Sequence, residues 1–294
     1  MLLYALDQDP VFGKLETRLL VSCPANGPGE GGLYLLDFRE NSWTKLYAGG
    51  CTGMAWVGGR LIVATDDNRL LSFGQDLQLL AASQQDQMDF HGAAAWGDSA
   101  LLVAETAINA IGCYEAGSFN RLGEIRLNPE RKDIHHINDI WLEGNTLYIS
   151  MFSPYDNWFS DPLQKSGAII AVSLSGFRPG DSIAVDPADH IAVGNLHMPH
   201  SVMMRQHELA YCDSMSFRTV IGQTEIQAGG FTRGLAFADD IVFIGQSRMR
   251  HVLRIPHRFS NCCLDGGIYV YHPEFRISRF VPLPEQQVYQ ILVL

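Results

Sequence analysis

One phrase recurs along the chain, and it constrains the fold more than any other feature. Gly53-Met54-Ala55-Trp56 is followed by a Gly-Gly-Arg turn and then Leu61-Ile62-Val63-Ala64. His136-Ile137-Asn138-Asp139-Ile140-Trp141 is followed by a polar turn and Leu147-Tyr148-Ile149-Ser150. Thr232-Arg233-Gly234-Leu235-Ala236-Phe237 is followed by Ala-Asp-Asp and Ile241-Val242-Phe243-Ile244. Weaker copies run over 90–104 and 198–211. Each unit is a short apolar strand, a tight polar turn and a second apolar strand. Spacing that brackets the roughly 40 residues of a four-stranded blade predicts a β-propeller.

Aligning the units on the residue that opens each inner strand makes Cys51, His91, His136, Met198 and Thr232 equivalent. That gives five inner strands. A sixth is available in the apolar C-terminal run Val288-Tyr289-Gln290-Ile291-Leu292-Val293-Leu294, which has no partner downstream. The outer strands it needs lie near the start, in Arg18–Ser22 and Gly32–Phe38. Joining the two ends in one sheet removes an open sheet edge. The expected fold is therefore all-β: a six-bladed β-propeller whose blade 1 is closed by the C-terminal strand, with residues 1–294 as a single domain. No stretch has sustained helical periodicity, so little helix is expected.

Composition narrows the partners. A formal net charge of −11 argues against a nucleic-acid or anionic-membrane partner, either of which would require a basic face. No apolar run reaches the roughly 18 residues of a membrane-spanning helix. The segment Met1-Leu2-Leu3-Tyr4-Ala5-Leu6-Asp7 lacks the basic region of a signal peptide, so a cytoplasmic location is expected. The six cysteines (Cys23, Cys51, Cys113, Cys212, Cys262, Cys263) are then expected to be reduced. The expected partner is a small molecule. The sequence does not set the oligomeric state.

Two segments interrupt the blade pattern. Residues 153–166 carry Tyr155, Trp158 and Phe159 among Pro, Asp and Asn. Residues 246–266 are basic, with Arg248, Arg250, His251, Arg254, His257 and Arg258. Long loops in a compact domain are functional or disordered. Each segment reads either as a cover over a channel mouth or as a surface excursion. The basic one would attract a carboxylate or phosphate, or contact another subunit.

Chemistry is expected where inner strands converge, because side chains two apart on a strand share a side. On the alignment above, one channel layer holds Cys51, His91, His136 and Thr232. The next holds Asn138, His200 and Gln290. Three imidazoles from consecutive blades, His91, His136 and His200, are candidate metal ligands. Neutral imidazole suits a divalent transition metal, zinc or iron first, better than calcium. The same residues also fit a metal-free acid–base site, or structural histidines that each bond a nearby carbonyl. His135 and His197 have the opposite strand phase and are expected to point into the blades or to lie on the entry loop. Asn138 and Arg233 are candidate substrate-orienting residues, and Cys51 or Tyr289 a candidate proton donor. Arg233 reads equally well as a salt bridge to a neighbouring blade. Asp139 and Ser201 sit one step out of channel phase and are expected to hydrogen-bond between blades. No Gly-rich phosphate loop and no Gly-x-Ser-x-Gly elbow is present, which counts against a nucleotide enzyme and a conventional serine hydrolase.

Met198-Pro199-His200-Ser201, Gly230-Phe231-Thr232-Arg233-Gly234-Leu235-Ala236-Phe237, His136-Ile137-Asn138, Gly267-Ile268-Tyr269-Val270 and the terminal Val288–Leu294 run together resemble a bacterial propeller family of unknown function. The resemblance extends from about Thr52 onward. It implies that His91, His136, Asn138, His200 and Arg233 occupy motif positions of that family. It supplies no activity. Two positions depart from the pattern: Gly92 and Gln290 stand where the family tends to carry an acidic residue. The plan is more distantly similar to gluconolactonase and strictosidine-synthase propellers. The expected function is that of a metal-dependent enzyme acting on a small polar, carboxylate-bearing metabolite by hydrolase, lyase or isomerase chemistry, as in a biosynthetic tailoring step. The alternatives are a non-catalytic ligand-binding or scaffold propeller and an iron-dependent oxygenase.

Overall fold

The chain is a six-bladed β-propeller, nearly all strand. The computed structural model describes residues 9–13, 15–155, 158, 165–249 and 261–294. Among them, helix is confined to short 3-10 turns, such as Thr106–Ile108, Pro187–His190 and Ser214–Ser216. No described helix is long and apolar enough to cross a membrane. Arg250, His251, Arg254, His257, Arg258 and Phe159 lie outside the described residues.

The chain divides into two compact units, one of 1–51 with 228–294 and one of 52–227. The first unit holds blade 1, in which β25 (Gln290–Val293) joins β1 (Arg18–Cys23), β2 (Gly32–Asp37) and β3 (Ser42–Ala48). The expected closing strand is thus present, in antiparallel register Leu19↔Val293 to Ser22↔Gln290. Blade 6 follows in the same unit, from β21 (Phe231–Ala238) through β22 (Ile241–Ser247) and β23 (Gly267–His272) to β24 (Ile277–Pro282). Its Phe243, Ile268 and Val270 pack with Leu19, Val21 and Leu36 of blade 1.

The second unit holds blades 2 to 5. Blade 3 runs from β8 (Phe90–Trp96) and β9 (Ala100–Glu105) to β10 (Ala110–Glu115) and β11 (Arg121–Arg126). It gains a fifth strand, the parallel β15 (Ser182–Ala184). Blade 4 is β12 (Ile137–Glu143), β13 (Thr146–Met151), β14 (Gly167–Ser173) and β16 (Ile191–Leu196). Blade 5 opens with β17 (Pro199–Arg205) and β18 (Glu208–Asp213). Strand β9 shows why its sequence is a continuous apolar run. Leu101 and Val103 pack towards blade 2, while Leu102 and Ala104 pack towards blade 4. A strand buried on both faces has no polar side to alternate with.

The start of each inner strand positions the site. Asp89, His136 and Met198 have φ of 51°, 47° and 53°, left-handed conformations that turn the chain into the strand. Two residues later a side chain returns to that turn's carbonyl. His91 Nδ1 lies 3.1 Å from Asp89 O, Asn138 Nδ2 donates to His136 O at 3.1 Å, and His200 Nδ1 lies 2.9 Å from Met198 O. Cys51 Sγ does the same to Gly49 O at 3.4 Å. Cys51, His91, Asn138 and His200 are therefore the equivalent residues. The sequence alignment was two residues off in blades 4 and 5, where it placed His136 and Met198 at this position. At or just beyond this point the inner strands of blades 3 to 6 each carry a β-bulge, in which two residues oppose one on the partner strand. An added residue shifts the side-chain alternation, which strict period-two counting does not anticipate.

Candidate acid–base site

The second unit brings five rings together. The His91 and His136 rings meet edge to face at 5.5 Å between centroids. Phe152 and Trp158 lie 4.4 and 4.5 Å from His136. Phe152 also sits 5.5 Å from the His200 ring, so a phenyl group contacts both His136 and His200. Trp158 is the residue through which the aromatic segment 153–166 reaches the site.

Each imidazole is anchored at Nδ1. Asp133 Oδ2 lies 2.7 Å from His136 Nδ1 and also accepts the Trp158 indole N–H at 3.1 Å. The other carboxylate oxygen accepts the His136 backbone N–H at 3.0 Å. His91 Nδ1 lies 3.1 Å from Asp89 O and 3.0 Å from Thr106 Oγ1. The Thr106 hydroxyl donates to Ile137 O at 2.5 Å, so it accepts from His91. His200 Nδ1 lies 2.9 Å from both Met198 O and Ser214 Oγ. A carbonyl or carboxylate at Nδ1 fixes the proton there and the lone pair on Nε2. Burial pushes the Asp133 carboxyl up, but the hydrogen bond and charge of His136, with the Trp158 N–H, outweigh it and hold the group below its usual value.

Solvent access separates the three. The His136 and His91 side chains are 19 % and 12 % exposed, while His200 is 2 % exposed. Asn138 is buried, with its amide donating to the His136 carbonyl. Asp139 and Ser201 serve blade contact as expected, with the Ser201 N–H donating to Asp139 Oδ2 at 2.7 Å. His135 is buried, with Nδ1 at 2.9 Å from Ser153 O, and His197 is buried with its N–H on Asp213 Oδ1. Asp133 was not anticipated. Its signal is the Asp-x-x-His spacing, which lets one carboxylate cap the turn and hold the imidazole.

Among the described residues no group of three His, Cys, Asp or Glu side chains is placed to hold a metal ion. The remaining candidates lie in the first unit. Cys51 is buried and bonded to its own turn, and Tyr289 is fully buried with the Arg233 guanidinium 4.1 Å above its ring. All six cysteines are free thiols.

No family model matches the chain, and no curated protein matches it. Solved structures do. A chain of the nidogen/laminin complex aligns over 94 % of this chain and 98 % of its own, at TM-score 0.60 and 11 % identity. A protein of unknown function from Bacteroides caccae aligns over 95 % and 99 %, at TM-score 0.63 and 12 % identity. A putative gluconolactonase aligns over 82 % and 80 %, at TM-score 0.53 and 12 % identity. At these identities the likeness is one of fold.

Proposed function

We propose that the second unit carries an acid–base centre that acts on a small polar metabolite, with His136 as the base. The observation behind this reading is the 2.7 Å contact between His136 Nδ1 and the Asp133 carboxylate. A carboxylate there orients the ring, leaves the Nε2 lone pair as proton acceptor and stabilises the imidazolium once it forms. His91, edge to face with His136 and partly open to solvent, is the second proton carrier. Phe152 and Trp158 wall the cluster with apolar surface. Two imidazoles so placed would activate water for hydrolysis, or move a proton in an elimination or isomerisation. One fold neighbour is described as a putative gluconolactonase, but fold alone does not carry chemistry. The reaction type rests on the imidazoles.

Anchoring at Nδ1 favours a second reading, since metal-ligating histidines donate their other ring N–H to a carbonyl or carboxylate. Zinc or iron on Nε2 atoms would supply a Lewis acid, after a rearrangement around Phe152. Elemental analysis of untagged protein tests this: stoichiometric metal lost in His136→Ala supports the second reading, and metal-free protein with activity supports the first. Activity itself is tested by incubating the protein with a pooled metabolite library and following it by mass spectrometry. Features consumed by the parent and spared by His136→Asn support the acid–base centre. Equal consumption by both proteins would overturn it, and saturable binding without turnover would point to a ligand-binding propeller.

A further inference from the structure

Most arginines in ion pairs here are partly open to water. Arg121 meets Glu105 and Glu124, Arg218 meets Asp213 and Glu225, and Arg279 meets Asp9, all at 3 Å or less. Arg233, in the first unit, is only 4 % exposed, yet it has no carboxylate partner among the described residues. Of its five N–H groups, one is engaged by a described residue, Nη1 donating to Gln287 Oε1 at 3.3 Å. Nε is buried without a partner. The guanidinium lies over the Tyr289 ring, with Cζ 4.1 Å from the centroid. A cation taken out of water requires a counter-charge or a full set of acceptors, and a ring face and one neutral amide supply only part of that.

From this mismatch we infer that Arg233 anchors an anion-binding site, taking a carboxylate or phosphate group. The side chain is held for that role. Gln287 is itself buried and donates through Nε2 to Asn26 Oδ1, which turns its own oxygen towards Arg233. The backbone is pinned as well. A Cβ on Gly245 would fall 2.1 Å from Arg233 O, and one on Gly234 would meet Val288 and Ile291 at 3.1 Å. A planar donor group on rigid strands matches carboxylate and phosphate oxygens. In a chain of net charge −11 the long-range field repels anions, so recognition rests on direct contact with the guanidinium. The site stands on binding alone and is independent of the imidazole chemistry.

The test is titration of the full chain with acetate and with inorganic phosphate. It is read at the Arg233 Nε–Hε resonance by nitrogen-15 NMR and by calorimetry, with sodium chloride at equal ionic strength as control. Saturable movement of that resonance by one anion, with at least tenfold weaker affinity in Arg233→Lys, supports the site. Which anion saturates it identifies the class. Movement matched by chloride, no movement with either anion, or equal affinity in Arg233→Lys would overturn it. The NMR reading on the parent protein decides the matter even if Arg233→Lys fails to fold.

Discussion

Asp133 and His136 form a backbone cap and a side-chain hydrogen bond in the same three-residue step. One carboxylate oxygen takes the backbone N–H at the start of the left-handed turn, and the other takes the imidazole Nδ1 proton. The turn that enters blade 4 and the orientation of the candidate base therefore depend on one side chain. Asp133→Asn keeps the size of that side chain and removes its charge. Turnover of any substrate found is expected to fall about 10²–10⁴-fold, the usual contribution of a positioned acid–base group. Stability is expected to fall by about 1–3 kcal/mol, as for loss of a charged hydrogen-bond partner. Nitrogen-15 spectra of the His136 ring check the cause. A parent already protonated at Nε2 and not at Nδ1 would refute the assignment.

Acid should destabilise the protein in two steps. Burial holds the His135 imidazole below its ordinary value of 6.5, against opposing hydrogen bonds to backbone carbonyls. The unfolded chain therefore takes up that proton first, and this contribution to stability, complete above pH 6.5, is lost as pH falls below it. Asp133 is also depressed, from 3.8, so its contribution persists above that value and disappears as pH falls through the lower folded one. Melting temperature against pH is expected to decline from about pH 6.5 downward. In His135→Asn the curve should be flatter just below pH 6.5. An unchanged slope in that variant would rule out His135 as the source.

Removing residues 288–294 deletes β25 and with it the inner strand of blade 1. Four Cα pairs with β1 go, as does the bond from Tyr289 N–H to Ser22 O. Val288 and Ile291 leave the core they share with Leu19 and Val21, and the fully buried Tyr289 is lost with them. The exposed edge of β1 then presents unpaired backbone groups. Insoluble or largely unfolded protein is expected. A soluble truncation that melts with the parent would contradict this account of the closure.

The architecture was legible because strand–turn–strand phrases repeat and because an apolar strand without a neighbour stood at the C-terminus. The site was legible in its residue types but not in its register. His91 and His200 look unlike Asn138, so nothing in the residue types marks the three as equivalent. Their equivalence rests on a left-handed residue two positions earlier. At one of those positions, Met198, the residue type gives no hint of positive φ. Phe152 between two imidazoles was also invisible, since it follows β13 and approaches only through the fold. The depth of Arg233 and its lack of a carboxylate depend on contacts from Gln287 and Tyr289, far along the chain.

Gly92 stands where the neighbouring strand leaves no room for a side chain. An ideal Cβ there would sit 2.7 Å from Asp139 Cα and 2.8 Å from Ile140 N, backbone atoms of the neighbouring inner strand. These contacts cannot be relieved by turning a side chain. Strand β12 approaches β8 at this point, immediately after His91. Moving β12 would disturb Asn138, whose amide caps the His136 carbonyl. Gly92→Ala is therefore expected to cost about 1–3 kcal/mol, the range for forced overpacking, and to lower the melting temperature accordingly. The longer Gly92→Asp is expected to be worse. The contact between the His91 and His136 rings should loosen with it, measurable as loss of cross-peaks between the two imidazoles. A Gly92→Asp protein as stable as the parent, with that contact intact, would show that the two strands do not lie this close.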